Sequence, residues 1–270
     1  MNSENARAQL LERYAQVINQ EDLRELAEVR GLSGIFAGSV CESYFHGGPR
    51  VMVVGREPRG WDEETRDGKK RAGLTEASTE SDLKSYLETM MQMHEKTVLS
   101  PPPTSKFFHF YKRVQRDIAK SPAPGSVAWG NLLCISHKKG SAVVGLKKAQ
   151  DAHLKKIFEW SRALLRAQIE VLQPQFIFFV TSPSYDRYLK AFIDIDETDR
   201  KVHVPEELWQ FKAHGAHAFR TRHPRILTSS AHRKRAITLA LGTAAFQPAQ
   251  ESILSHWRSS RPLIYAERFD

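Results

Sequence analysis

The chain predicts an α/β fold, a three-layer α/β/α sandwich around a central, mainly parallel sheet of four or five strands. Three observations lead there. Val51-Met52-Val53-Val54 and Phe176-Ile177-Phe178-Phe179-Val180 are apolar at every position, as strands covered on both faces must be. Ser126-Val127-Ala128-Trp129-Gly130-Asn131-Leu132-Leu133-Cys134-Ile135 is a second apolar run with a single amide, Asn131, embedded in it. A long helix is expected at 151–172, with Leu154, Ile157, Phe158, Leu164, Leu165 and Ile169 on one stripe and Pro174 marking its end.

The remaining elements follow in order. Residues 5–30 carry Leu10, Leu11, Tyr14, Val17, Ile18, Leu23 and Leu26 among charges, the spacing of one or two amphipathic helices packed on the first strand's flank. They belong to an N-terminal helical part, 1–48. The stretch 62–106 is polar, encloses one helix at about 81–93 and ends in Pro101-Pro102-Pro103. An excursion of that length is expected to be a lid or a flap. A helix over 107–118 places Phe108, Tyr111 and Val114 together, and one over 231–244 closes a core spanning 50–245. Neither a repeat nor a linker divides the sequence, so 1–270 is read as a single domain.

Composition narrows the function. A hydrophobic fraction of 41% with 14 Phe and 5 Trp excludes a disordered chain. The net charge of +9 and a pI near 9.6 favour a polyanionic partner. The 2 cysteines, Cys41 and Cys134, lack Cys-x-x-Cys partners, which argues against zinc and iron–sulfur sites and for a reducing compartment. Residues 1–13 are too polar for a signal peptide, and no apolar run is long enough to span a bilayer. Neither a Gly-x-Gly-x-x-Gly nor a Gly-Lys-Ser/Thr phosphate loop is present. The expectations are a cytoplasmic monomer, no membrane, no cofactor and no metal.

Three motifs carry the chemistry. Gly55-Arg56-Glu57-Pro58-Arg59-Gly60 follows the first strand and mounts a carboxylate where ligands bind in open α/β sheets. Asn131 lies in the second apolar run. Arg220-Thr221-Arg222-His223-Pro224-Arg225 follows the short run Ala216-His217-Ala218-Phe219, and Ser229-Ser230-Ala231-His232-Arg233-Lys234-Arg235 comes soon after. In chain order this is Gly-x-Glu-Pro, an Asn, and His-Pro near Ser-Ala-His-Arg. That order resembles the uracil-DNA glycosylase superfamily over roughly residues 50–245. Its best-known branch carries Gly-Gln-Asp-Pro-Tyr-His, an Asn after an apolar run, and His-Pro-Ser before Ser-Ala-His-Arg.

The resemblance implies a metal-independent glycosylase that flips a base out of DNA and hydrolyses its bond to the sugar. Glu57 would position the water and stabilise the sugar cation. The family branch has Asp there, one methylene shorter. Gly55 and Asn131 would bind the base, the amide reading uracil one way and, rotated, cytosine the other. His223 would donate a hydrogen bond to the departing base, with His232 as the alternative for that role. An aromatic from Trp61, Phe107 or Phe108 would stack on the base. Arg222, Arg225, Ser229, Ser230, His232, Arg233, Lys234 and Arg235 would meet DNA, with Lys138 and Lys139 extending the phosphate track and Ile226 or Leu227 filling the vacated stack. No Lys sits at a motif position for a Schiff base, so no lyase step is implied. The partner is DNA, double-stranded with a flipped base or single-stranded.

One departure bears on the substrate. Where the uracil branch has the Tyr that excludes a C5 methyl group, this chain has Arg59, followed by Gly60 in place of His. A Gly blocks nothing, and an Arg can swing aside or hydrogen-bond a polar substituent. A base-binding role for Arg59 therefore implies a bulky C5-modified cytosine of the kind found in bacteriophage DNA, and a defence role. Ordinary uracil repair and a non-catalytic base-binding module are the alternatives.

Overall fold

The computed structural model describes residues 1–58, 61, 74, 83–137, 140–141 and 151–243. Two helices open the chain, α1 (Ser3–Val17) and α2 (Gln20–Ala27), capped by the Asn2 and Asn19 side chains, which accept from the backbone N–H groups of Asn5 and Asp22. Ala6, Leu10 and Tyr14 form the buried stripe of α1. That stripe faces helices α3 (Leu83–Leu99) and α5 (Asp151–Leu172), so α1 packs on helices and not, as expected, on the first strand's flank.

Among the described residues the central sheet has six strands in the order β2-β1-β5-β8-β7-β6, two more than the lower expectation and one more than the upper. Strands β1 (Val51–Gly55), β2 (Ala128–Asn131), β5 (Phe176–Phe179) and β8 (Ala216–Thr221) run parallel. Strands β6 (Ile195–Val204) and β7 (Leu208–Ala213) complete it as an antiparallel hairpin. They escape a sequence reading because β6, Ile-Asp-Glu-Thr-Asp-Arg-Lys-Val-His-Val, is exposed along most of its length. Its charges suit an edge that must not pair with another chain. A separate ribbon pairs β3 (Ser136–His137) with β4 (Gly140–Ser141).

Helices cover both faces. Helix α4 (Lys106–Asp117), capped by Ser105, packs on β1 and sets Phe110 edge-on to Phe178 with ring centroids 6.0 Å apart. Helix α5, which spans the range its apolar stripe predicts, covers β2 on the opposite face. There the chain requires Gly130, since a Cβ would stand 2.5 Å from Met52 Cε and 2.9 Å from Gln168 Oε1. Helix α6 (Asp186–Phe192) packs on α5, and α7 (Ser230–Leu241) lies against β7 and β8.

Parallel pairing puts the carboxyl ends of β1, β2, β5 and β8 on one edge, with Gly55 opposite Asn131, Val54 opposite Phe179, and Phe179 opposite Arg220. The chain leaves β1 for β2 on one side and then crosses through α5 to β5 on the other. The crevice therefore opens at β1, where the strand order reverses.

Candidate active site at the carboxyl edge of the sheet

The chain beyond β2 stays zipped to β1. Leu132 N–H donates to Gly55 O at 2.9 Å and Leu133 N–H to Arg56 O at 2.8 Å. This holds Asn131 against Gly55 so closely that a Cβ there would lie 2.5 Å from Asn131 Oδ1 and 3.2 Å from Phe107 Cε2. Asn131 is 6% exposed, and its Nδ2 has no hydrogen-bond partner. Among the described residues this donor is unpaired, and an unpaired buried donor is costly, so the amide is a candidate to meet a ligand.

Glu57 sits just beyond, and its Oε2 accepts a 2.8 Å hydrogen bond from the Tyr185 hydroxyl. Arg56 turns to the same tyrosine, its Cζ 5.5 Å from the ring centroid. Tyr185 ends a short 3₁₀ turn, Pro183–Tyr185, reached from β5 through Ser182. At φ 75 and ψ 158, Ser182 occupies a region that non-glycine residues avoid, at a cost of roughly 1–3 kcal/mol. Three hydrogen bonds hold it there. Its N–H donates to Thr221 O at 3.2 Å, its carbonyl accepts from Tyr185 N–H at 3.0 Å, and its Oγ accepts from His223 N–H at 2.8 Å.

His223 follows β8. Its Nδ1 accepts from Arg225 N–H at 3.3 Å, which leaves the ring proton on Nε2. Burial first, then the charges of Arg56, Arg225 and Arg233, push its pKa down to about 3. The ring is a neutral N–H donor throughout the physiological range. Among the described residues, then, one edge assembles a carboxylate, an open amide and a neutral imidazole from β1, β2 and β8, tied together by a turn from β5. No group of three or more His, Cys, Asp or Glu among the described residues is arranged to hold a metal ion. Burial drives the Cys41 thiol up to about 11 and Cys134 to about 12, so neither is a ready nucleophile.

Several expected contacts are relocated. Trp61 is 2% exposed, donates from Nε1 to Ile35 O at 3.1 Å and packs on Phe36 and Trp129. Phe108 is likewise buried, against Trp129 and Tyr111. Both rings are spent on the core, whereas the half-buried Phe107 borders Gly55 and Asn131. Arg222 pairs with Glu206 at 3.2 Å and Glu207 at 2.7 Å. Buried Ser229 donates to Glu207 at 2.6 Å, and buried Arg233 donates to Ile226 O at 3.1 Å. These three side chains build the loop after β8 and do not face outward from it. Arg225, Ser230, Lys234 and Arg235 are exposed, His232 is half-exposed on α7, and Leu227 stands 65% exposed on the same loop. Arg59, Lys138 and Lys139 lie outside the described residues.

Sequence reasoning missed Ser182 and Tyr185. The signal was Thr181-Ser182-Pro183-Ser184-Tyr185, a polar turn pinned by a Pro directly after the most apolar strand. It also missed the pair of buried Arg220 with half-buried Asp186 at 2.8 Å, which ties the end of β8 to the start of α6. Compared with known proteins, the chain matches no family model and no curated sequence.

Proposed function

We propose that this protein is a monofunctional DNA glycosylase that hydrolyses the bond between a flipped pyrimidine and its deoxyribose. The observation that carries the reading is the convergence of Glu57, Asn131 and His223 at the carboxyl ends of three parallel strands, each with its hydrogen-bonding state suited to one role. Asn131 offers its free Nδ2 to the polar edge of the base. As the C1′–N1 bond lengthens, positive charge grows on the sugar and the bonding pair leaves with the base. Glu57 lies on the cation's side, holding the water whose oxygen adds to C1′ and accepting the proton that this water gives up. The neutral His223 donates from Nε2 to the base oxygen that becomes anionic, a hydrogen bond that a ring held uncharged makes without giving up its proton. Exposed Leu227 fills the gap left in the stack, while Arg225, Lys234 and Arg235 meet phosphates.

The preferred base is a cytosine with a large polar group at C5, because Arg59 and Gly60 replace the bulky pair that closes the uracil-type pocket. Such bases mark bacteriophage DNA, and the protein would work as a cytoplasmic monomer against invading genomes. Asn131 with its amide rotated fits uracil equally, so uracil belongs in the test. Purified protein is incubated with end-labelled DNA, in EDTA and in parallel with magnesium, and each sample is read with and without alkali. Breaks that need alkali support a glycosylase. Direct metal-dependent breaks would reject it for a nuclease, and intact DNA with a mobility shift would reject it for a binding module.

A further inference from the structure

We infer that Tyr185 is the positioning residue that keeps the two neighbouring charges of the site, Glu57 and Arg56, apart and assigns each to one end of the reaction. The inference rests on the glycosylase reading. Arg56 and Glu57 are adjacent in sequence, and left alone a guanidinium and a carboxylate so placed would neutralise each other. Among the described residues they form no ion pair; both are committed to the same tyrosine. Its hydroxyl donates to Glu57 Oε2 at 2.8 Å, and Arg56 Cζ lies 5.5 Å from its ring centroid. Each contact uses a different part of the phenol, the O–H dipole for the anion and the π-face for the cation.

The tyrosine is itself fixed. It is 7% exposed, its ring packs on Tyr188 with centroids 5.9 Å apart, and its N–H is held by the Ser182 carbonyl at 3.0 Å. The same Ser182 receives the His223 N–H on its Oγ at 2.8 Å. The strained Ser182 therefore joins the water end of the site to the leaving-base end. Oε2 of Glu57 is oriented by Tyr185, which leaves Oε1 to face the water. Arg56 is kept on the His223 side, where its charge helps hold that ring neutral. This gives the Ser182 conformation a role in the site: a relaxed Ser182 would turn Tyr185 away from Glu57.

The test is Tyr185→Phe, which keeps the ring and its packing and removes only the hydroxyl, measured by single-turnover base release and by DNA affinity. Losing a hydrogen bond to an ionised group should slow release by about 10- to 30-fold, with DNA affinity changed by less than about 2-fold. In a Glu57→Gln background the same change should cost less than about 2-fold further, because the charge it orients is gone. Tyr185→Leu, which also removes the π-face, should be slower than Tyr185→Phe. A Tyr185→Phe protein with full release rate, a loss residing wholly in affinity, or an equal loss in the Glu57→Gln background would overturn the inference. If the wild-type protein releases no base at all, the glycosylase reading fails and this inference with it. An active wild type beside an equally active Tyr185→Phe removes only the role of Tyr185.

Discussion

Adding one methyl group at Gly55 probes the recognition end of the site without touching a charged residue. In Gly55→Ala the new Cβ would lie 2.5 Å from Asn131 Oδ1 and 3.2 Å from the edge of Phe107. The first distance cannot persist, so the amide must move, and because Asn131 is 6% exposed it has little room to do so. Overpacking of this kind costs about 1–3 kcal/mol of stability. The functional loss is separate. A displaced amide leaves the polar edge of the bound base unpaired, worth about 1–3 kcal/mol, or roughly 10- to 100-fold in release rate at subsaturating DNA. Thermal denaturation reads the first quantity and single-turnover excision the second. The double variant with Asn131→Ala sharpens the result: with the amide gone the closest clash is removed and the edge of Phe107 stands 3.2 Å away, so stability should largely return while activity stays low. A Gly55→Ala protein that excises at the wild-type rate would refute the placement of Asn131 as the base reader.

Three further outcomes are expected. Arg56→Met should raise the pKa of His223, since the Arg56 charge helps depress it; nitrogen-15 NMR of the imidazoles reads the shift, and an unmoved His223 would place Arg56 elsewhere. Burial holds His94 down to about 4, with Nδ1 accepting from Ser39 N–H at 3.2 Å and Nε2 donating to Trp129 O at 3.0 Å. The unfolded chain takes up a proton near pH 6.5 that the folded chain refuses, so stability should fall as pH drops from 6.5 toward 4; His94→Gln should recover about 1.5 kcal/mol of the loss between pH 6.5 and 5 in urea titrations, and an unchanged pH slope would count against it. Alanine at exposed Lys234 and Arg235 should reduce the slope of log affinity against log salt by about 1–2, whereas Arg233→Ala, which frees the carbonyl of Ile226, should lower the melting temperature instead. An unaltered slope in the first variant would take those two side chains off the phosphate path.

Which parts of this molecule the sequence reveals follows from where its information is local. Strands β1 and β5 are apolar on both faces, and α5 repeats its apolar residues over six turns, so each is read from its own residues. Hairpin β6–β7 is legible only once its neighbour β8 is in place, because β6 is a charged edge. That single omission hides which loop side chains are already engaged by the protein. Glu206 and Glu207, in the turn of the hairpin, engage Arg222 and Ser229, which therefore bind protein where a basic loop alone suggested DNA. The aromatic choice is also non-local: Trp61, Phe107 and Phe108 are equal candidates by chemistry, all three pack against Trp129, and only burial separates the half-buried Phe107 from the other two. Tyr185 reaches Glu57 across a separation of 128 residues, a pairing that no local pattern encodes.

Mass spectrometry of the released base decides whether this protein is a glycosylase and which base it takes. Matched duplexes containing uracil, cytosine, 5-hydroxymethylcytosine or its glucosylated form are incubated with wild-type protein and with Glu57→Gln, and the small-molecule fraction is weighed for free base. The wild type should release free modified cytosine and little uracil, and Glu57→Gln almost none of either, because its amide keeps the shape but loses the charge. Release of uracil alone would replace the proposed substrate with that of a conventional repair enzyme, and the absence of any free base would contradict the account itself.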